Sequence, residues 1–381
     1  MMMNTSIANQ INRFARTNEN HLIELLTAIC SLPSPTGAEQ AKANWILAYL
    51  HKLGASEAYI DSAGNVIWPC QITKGTKHPV YGAHIDTVFN QVTSIKPKIK
   101  GNVFAAPSCG DNSANVASLL FFAEMILSLH MDLPAGAFFL FNVGEEGLGN
   151  LRGIRQFMTD HAHEVSEMVA VDCNSDSFIN LAVGSHRYQI DVQAEGGHSW
   201  GNFGNDNAIA IASGIIWNLY NLDVPASPKT TYNVGTIQGG STVNSIAEHA
   251  SFTIDLRSES KEELQRVDQK FHELLDAARD PKIQITETFL GERPCNDGAE
   301  NSDMCRRLAR IRSAHGLTTT FQSASTDANI PLSLGIPAIS FGTCIGRRAH
   351  SVYENLDLDS LVPGFIQLAE FILTSPACQK E

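Results

Sequence analysis

Short, unbroken apolar runs alternate with stretches of helical periodicity through the first part of the chain. Val80-Tyr81, residues 138–143, 168–171 and 339–341 are runs of the kind that form strands buried on both faces. Between them, residues 21–30 repeat apolar positions at helical spacing up to the SLPSPTG turn. Residues 39–53 predict a second helix, stopped by Gly54, and residues 112–129 a long apolar one. This alternation predicts an α/β fold with a mainly parallel sheet and helices on both faces.

Near Leu181 the pattern changes. Strand-like YQIDVQA is followed by a helix over 206–222, strands TTYNVGTI and HASFTIDLR, a helix over 261–278 and strand KIQITETF. The order β-α-β-β-α-β is that of a ferredoxin-like unit. The helix–strand alternation resumes after Gly291-Glu292-Arg293-Pro294 and ends with a helix over 358–373. The reading is therefore one discontinuous domain, residues 1–180 and 291–381, with an α+β lid inserted at 181–290.

Polar side chains able to do chemistry stand at the ends of the apolar runs: His84 and Asp86 in VYGAHIDTV, Asp111 in SCGDNSAN, Glu145 and Glu146 in FNVGEEGLG, Asp172 in MVAVDCN and His350 in RRAHSVYE. In an open α/β sheet such ends converge on one crevice. Two His and three carboxylates are too many for one tetrahedral ion. They suit two metals, roughly 3.5–4 Å apart, sharing one carboxylate. Asp111 is read as the bridge, with His84 and Asp172 on one metal and Glu146 and His350 on the other. Asp86, two residues from His84 and on the same side of an extended segment, can accept the second imidazole N–H and fix its tautomer. Glu145, off the metals, is the general base: it takes a proton from a water whose pKa a metal lowers from about 15.7 toward about 7, then protonates the leaving amine. Cys109 and Cys173 adjoin these positions, as thiolate ligands or as small buried residues; the complete N and O set favours the second reading.

HIDTV, GDNSAN, VGEEGLG, VDCN, GGHS and the late AHS…E resemble, in order, the motifs of the di-zinc exopeptidases and deacylases of clan MH. This group includes tripeptidase T, glutamate carboxypeptidase, acetylornithine deacetylase and succinyl-diaminopimelate desuccinylase. The resemblance spans residues 23–373 and is strongest, around VGEEGLGNLRG, to the tripeptidase and carboxypeptidase branches. It implies two Zn(2+) per subunit, the same seven roles, and an inserted domain that also dimerises the chain. It further implies that His198, in EGGHSW, reaches the partner subunit's active site and stabilises the oxyanion, and that Asn244 and Arg257 hold the substrate. Trp200 departs from the small residue usual there, and Asp172 from the His of the related carbamoyl-amide hydrolases. On physical grounds Arg257 offers a planar fork to a carboxylate, or pairs with Asp255 or Glu259. Ser325 and Thr326 offer hydroxyls beside the metals, or cap a short helix over 327–334.

At 381 residues the chain can bury a large core in two domains. A formal net charge of −13, with no cluster of Lys and Arg, argues against nucleic acid. No run reaches the length of a membrane span, no signal peptide is evident, and eight scattered cysteines without CxxC pairing fit reduced thiols in the cytoplasm. The expected activity is a di-zinc metallopeptidase acting on small peptides, with cobalt or manganese able to use the same ligands. An N-acyl-amino-acid deacylase would share every motif, because the attacked carbonyl is the same. A non-catalytic binding protein would be expected to lack a ligand or the base, and none is missing.

Overall fold

A computed structural model describes residues 5–296, 298 and 301–376. The chain divides into two compact units, residues 1–182 with 298–381, and residues 183–297.

The first unit is built on an eight-stranded sheet in the order Tyr59–Ile60, Val66–Cys70, Ala137–Asn142, His78–His84, Val165–Val171, Ala338–Phe341, Phe178–Ala182, Phe321–Ala324. The four central strands are mutually parallel. His78–His84 and Ala137–Asn142 are buried at every position, which explains why they read as unbroken apolar runs. Alternate side chains enter opposite cores, as a period of two demands. Tyr81, Phe139, Phe141, Val169 and Val171 pack under helices Glu19–Cys30, Gln40–Leu53, Asn115–Ser128 and Leu361–Leu373. Val80, Phe138, Leu140, Met168 and Ala170 pack against helix Arg152–His161, through Ile154, Phe157 and Met158.

A second, four-stranded antiparallel sheet of short strands had no counterpart in the sequence reading. It comprises Ile345–Arg347, Asn355–Asp357, Val103–Ala105 and Lys98–Lys100. It pairs the loop carrying His350 with the segment leading to Asp111.

The second unit is a four-stranded antiparallel sheet, in the order Thr230–Gly239, His249–Ser258, Gly184–Gln193, Gln284–Arg293. Helices Ala208–Leu219 and Lys261–Ala277 complete the β-α-β-β-α-β order, and their apolar residues share one core with Ile190, Val192, Phe252 and Ile254. The side chains of Asn207 and Ser260 cap the two helices. The unit begins at 183 and ends at 297, not at 181 and 290: Gly291, Glu292 and Arg293 continue the last strand and pair with Arg187, His186 and Ser185 after a bulge.

Candidate metal centre and active site

Three parallel strands deliver four of the sequence-derived residues directly. His84 ends one strand, Asp172 follows another, and the pair Glu145–Glu146 follows a third after a sharp turn. That turn depends on close backbone approach. Gly144 has φ +69°, and Gly153 donates its N–H to the Val143 carbonyl at 3.0 Å. A Cβ on Gly153 would lie 2.4 Å from that oxygen, so any larger residue there would force the GEEGLGNLRG turn to shift.

Asp111 lies in a tight turn, Cys109–Ala114, ahead of helix Asn115–Ser128, and a cis peptide joins it to Asn112. The predicted helix start at residue 112 is displaced to Asn115, because Asn112 takes a non-helical backbone conformation and its side chain bonds elsewhere. Asn112 donates to the Val171 carbonyl at 3.0 Å. Asn115 donates to the Asn112 side chain at 2.6 Å and accepts from the Thr343 backbone N–H at 2.7 Å. This network, buried and satisfied, ties the turn to the ends of two sheet strands.

The five proposed ligands meet. Asp111 turns one oxygen to each imidazole: Oδ1 is 3.2 Å from His84 Nε2, and Oδ2 is 3.2 Å from His350 Nε2. Asp172 Oδ1 stands 3.9 Å from His84 Nε2, and Glu146 Oε1 stands 3.1 Å from His350 Nε2. His84, Asp111 and Asp172 form one trio with ligand atoms mutually within 4.8 Å; Asp111, Glu146 and His350 form a second; His84, Glu145 and Glu146 form a third. Asp111 is common to the first two. This donor set, nitrogen and oxygen only with one shared carboxylate, fits a pair of divalent ions.

The electrostatics suit cations. Burial pushes the Asp172 carboxyl up to about 6 against the pull of His84, and burial likewise raises Glu146. Asp111 is held well below the usual carboxylate range: burial opposes ionisation, but hydrogen bonds from His350 and His84 outweigh it. Hydrogen bonds to Asp111 and Glu146 raise His350 to about 10. At neutral pH His350 therefore carries a proton beside these acids.

Asp86 is 1% exposed and does more than accompany His84. Its Oδ1 lies 3.5 Å from His84 Nδ1 and accepts the Glu145 N–H at 3.0 Å, while Oδ2 accepts the Glu146 N–H at 2.9 Å and the Thr36 hydroxyl at 2.8 Å. One buried carboxylate thus sets both the imidazole and the backbone of the Glu pair.

In the second unit His198 lies on a short ladder, Gly197–His198 against Ser245–Ile246. Its Nδ1 accepts from the backbone N–H groups of Trp200 and Gly201, both at 3.2 Å. Two donors at Nδ1 require a lone pair there, so the ring proton sits on Nε2 and faces outward. Trp200 contributes its backbone to this turn while its indole is 89% exposed, so the departure from a small residue leaves the turn intact. Asn244 accepts the Ser199 N–H through its carbonyl at 3.0 Å. Arg257 pairs with Asp255, Nε to Oδ2 2.7 Å, which is the ion-pair alternative. Thr326 is buried, its hydroxyl bonded to Ser340 at 2.7 Å and accepting the Ala328 N–H at 3.2 Å, so it serves the turn before the short helix Asn329–Ser333. The Asn329 side chain reaches Ser325 Oγ at 3.4 Å. Cys109 is fully buried, and burial raises both its thiol and that of Cys173.

Two further buried acids were given no role by the sequence reading. Asp327 accepts from the Asn142 side chain at 2.7 Å, and burial pushes it up to about 8. Glu354 accepts three backbone N–H groups around Asp111. Neither follows an apolar run; the signal for Glu354 was its place as the last residue of the AHS…E motif, four residues after His350.

The comparisons place this two-unit fold among known structures. Residues 182–282 match the family described as the peptidase dimerisation domain of the M20 type. A tripeptidase from Staphylococcus aureus superposes with a TM-score of 0.78 at 20% identity, over 93% of this chain and 98% of its own. The aminopeptidase PepT of Bacillus cereus does so with a TM-score of 0.74 at 19% identity, over 93% and 98%. The M20 metallo-carboxypeptidase of Sulfolobus solfataricus gives 0.73 at 13% identity, over 93% and 99%. The uncharacterized protein YqjE of Bacillus subtilis is 23% identical, over 91% of this chain and 95% of its own. The chain shares the fold of these proteins, and the unit that matches the dimerisation-domain family interrupts the sequence of the first unit.

Proposed function

We propose that this chain is a dinuclear metallopeptidase that hydrolyses amide bonds of small peptides. The observation that carries the reading is the shared ligand: Asp111 belongs at once to the His84–Asp172 trio and to the Glu146–His350 trio. Zinc suits this mixed set, and cobalt or manganese accepts the same donors. A bound cation pair supplies Lewis acidity to the scissile carbonyl and makes a water acidic enough to attack at neutral pH.

Glu145, buried beside the ligands, takes the proton from the attacking water and delivers it to the leaving amine. Asp86 keeps the His84 ring and the Glu pair in register. His198, with its proton on Nε2, donates to the oxygen that gains charge, a contact often worth a few kcal/mol per donor. It does so in the active site of a second copy of the chain. The edge strand Thr230–Gly239, with exposed Trp217, Tyr220 and Ile237 nearby, supports a homodimer through the inserted unit. Asn244 and Arg257 receive the substrate carboxylate, the guanidinium exchanging part of its bond to Asp255 for it. Thr326 holds the turn that presents Ser325 to the substrate. Seven unpaired cysteines among the described residues support a reducing, cytoplasmic setting.

The tripeptidase, aminopeptidase and carboxypeptidase relatives favour peptides over N-acyl amino acids. Parallel assays on tripeptides and on N-acetyl and N-succinyl amino acids test this. Higher kcat/KM on tripeptides is expected; preference for the acyl compounds by orders of magnitude would replace the peptidase with a deacylase.

A further inference from the structure

Glu354 belongs to neither ligand set, yet it is 1% exposed and its carboxylate is fully engaged. Oε2 accepts the N–H of Ser108 at 3.0 Å, and Oε1 accepts those of Gly110 and Asp111, each at 2.8 Å. Its backbone carbonyl accepts the Ala106 N–H at 3.2 Å. One residue thus grips the whole approach to Asp111, and it does so from the loop that presents His350.

Both gripped segments hold backbone conformations that side-chain-bearing residues seldom adopt: Ser108 has φ +59° and His350 φ +60°. Such residues persist where their surroundings hold them. The fit around the carboxylate is close. A Cβ on Gly110 would lie 3.1 Å from Glu354 Oε1 and 3.4 Å from Gly346 Cα. The need for this grip follows from the task of Asp111, which must aim Oδ1 at one ligand set and Oδ2 at the other. Once its N–H is pinned, only side-chain torsions remain to be set, and the Ser108 hydroxyl further holds its carbonyl.

We propose that Glu354 is a positioning residue for the metal centre, an anionic clamp that fixes the bridging Asp111 and, through their common loop, His350. The inference rests on the metal pair proposed above. A carboxylate is required because both oxygens face N–H donors; glutamine keeps the size but turns an NH2 group toward one of them.

The test is cobalt(II) titration of the metal-free wild type, Glu354→Gln and Gly110→Ala. Bound metal is counted by atomic emission and the site is followed by its visible absorption, with metal-free thermal unfolding run alongside to show that each variant folds. The wild type is expected to bind two ions. Both variants are expected to fold, and to bind at least one ion about 10–100-fold more weakly, the range for residues that orient ligands, with a changed cobalt spectrum. A folded Glu354→Gln that binds two ions with wild-type affinity and spectrum would overturn the clamp and leave the metallopeptidase reading standing. A wild type that binds no divalent ion would overturn both. Should Glu354→Gln not fold, Gly110→Ala decides by the same readout, and unchanged binding there overturns the clamp.

Discussion

Glu145 and Glu146 are neighbours in the chain with different surroundings. Glu146 reaches His350 at 3.1 Å, while both backbone N–H groups are held by Asp86. Replacing Glu145 with Gln should leave two metals bound and lower kcat by about 10²- to 10⁴-fold, the usual worth of a general base, with KM little changed. Steady-state kinetics on a metal-saturated sample reads this, and turnover near wild type would remove Glu145 from the mechanism. Asp86→Ala strips the acceptor from two buried N–H groups and frees the His84 ring, so metal affinity should fall about 10–100-fold by calorimetry. At this scale six of the seven proposed site residues stood out because each follows an apolar strand or precedes a helix, where a parallel sheet gathers its polar side chains, whereas His350 stands in a hairpin loop. The roles of Glu354 and Asp327 were not legible. Each is a single carboxylate in a polar stretch, and its burial is decided by residues more than a hundred positions away.

The long apolar elements were equally legible. His78–His84 and Ala137–Asn142 are buried on both faces, and Gly54 at φ +102° ends helix Gln40–Leu53. The strands of the smaller sheet in the first unit are three residues each, too short for any period to show, and KIK reads as solvated chain. The hairpin presenting His350 was therefore invisible although the residue itself was not. The glycines of GEEGLGNLRG belong to this scale as well. Gly153→Ala forces a Cβ to within 2.4 Å of the Val143 carbonyl, and it should cost about 1–3 kcal/mol in denaturant unfolding. A variant as stable as the parent would show that the turn has room the structure does not give it.

At the scale of the molecule, pH couples to metal. In the metal-free chain His350 is raised to about 10 by hydrogen bonds to Asp111 and Glu146, so at neutral pH it carries a proton that an incoming cation must displace. Metal affinity should therefore rise with pH through the neutral range, with protons released on binding. Calorimetry in buffers of different ionisation enthalpy measures the release, and a heat independent of buffer contradicts it. Among the described residues no helix is long and apolar enough to cross a membrane. The account depends above all on two ions sharing Asp111. The most direct measurement is anomalous diffraction at the zinc absorption edge from crystals grown with zinc. It should show two peaks, one between His84 and Asp172 and one between Glu146 and His350, with Asp111 between them. A single peak, or zinc bound elsewhere with these five side chains bare, would contradict the account.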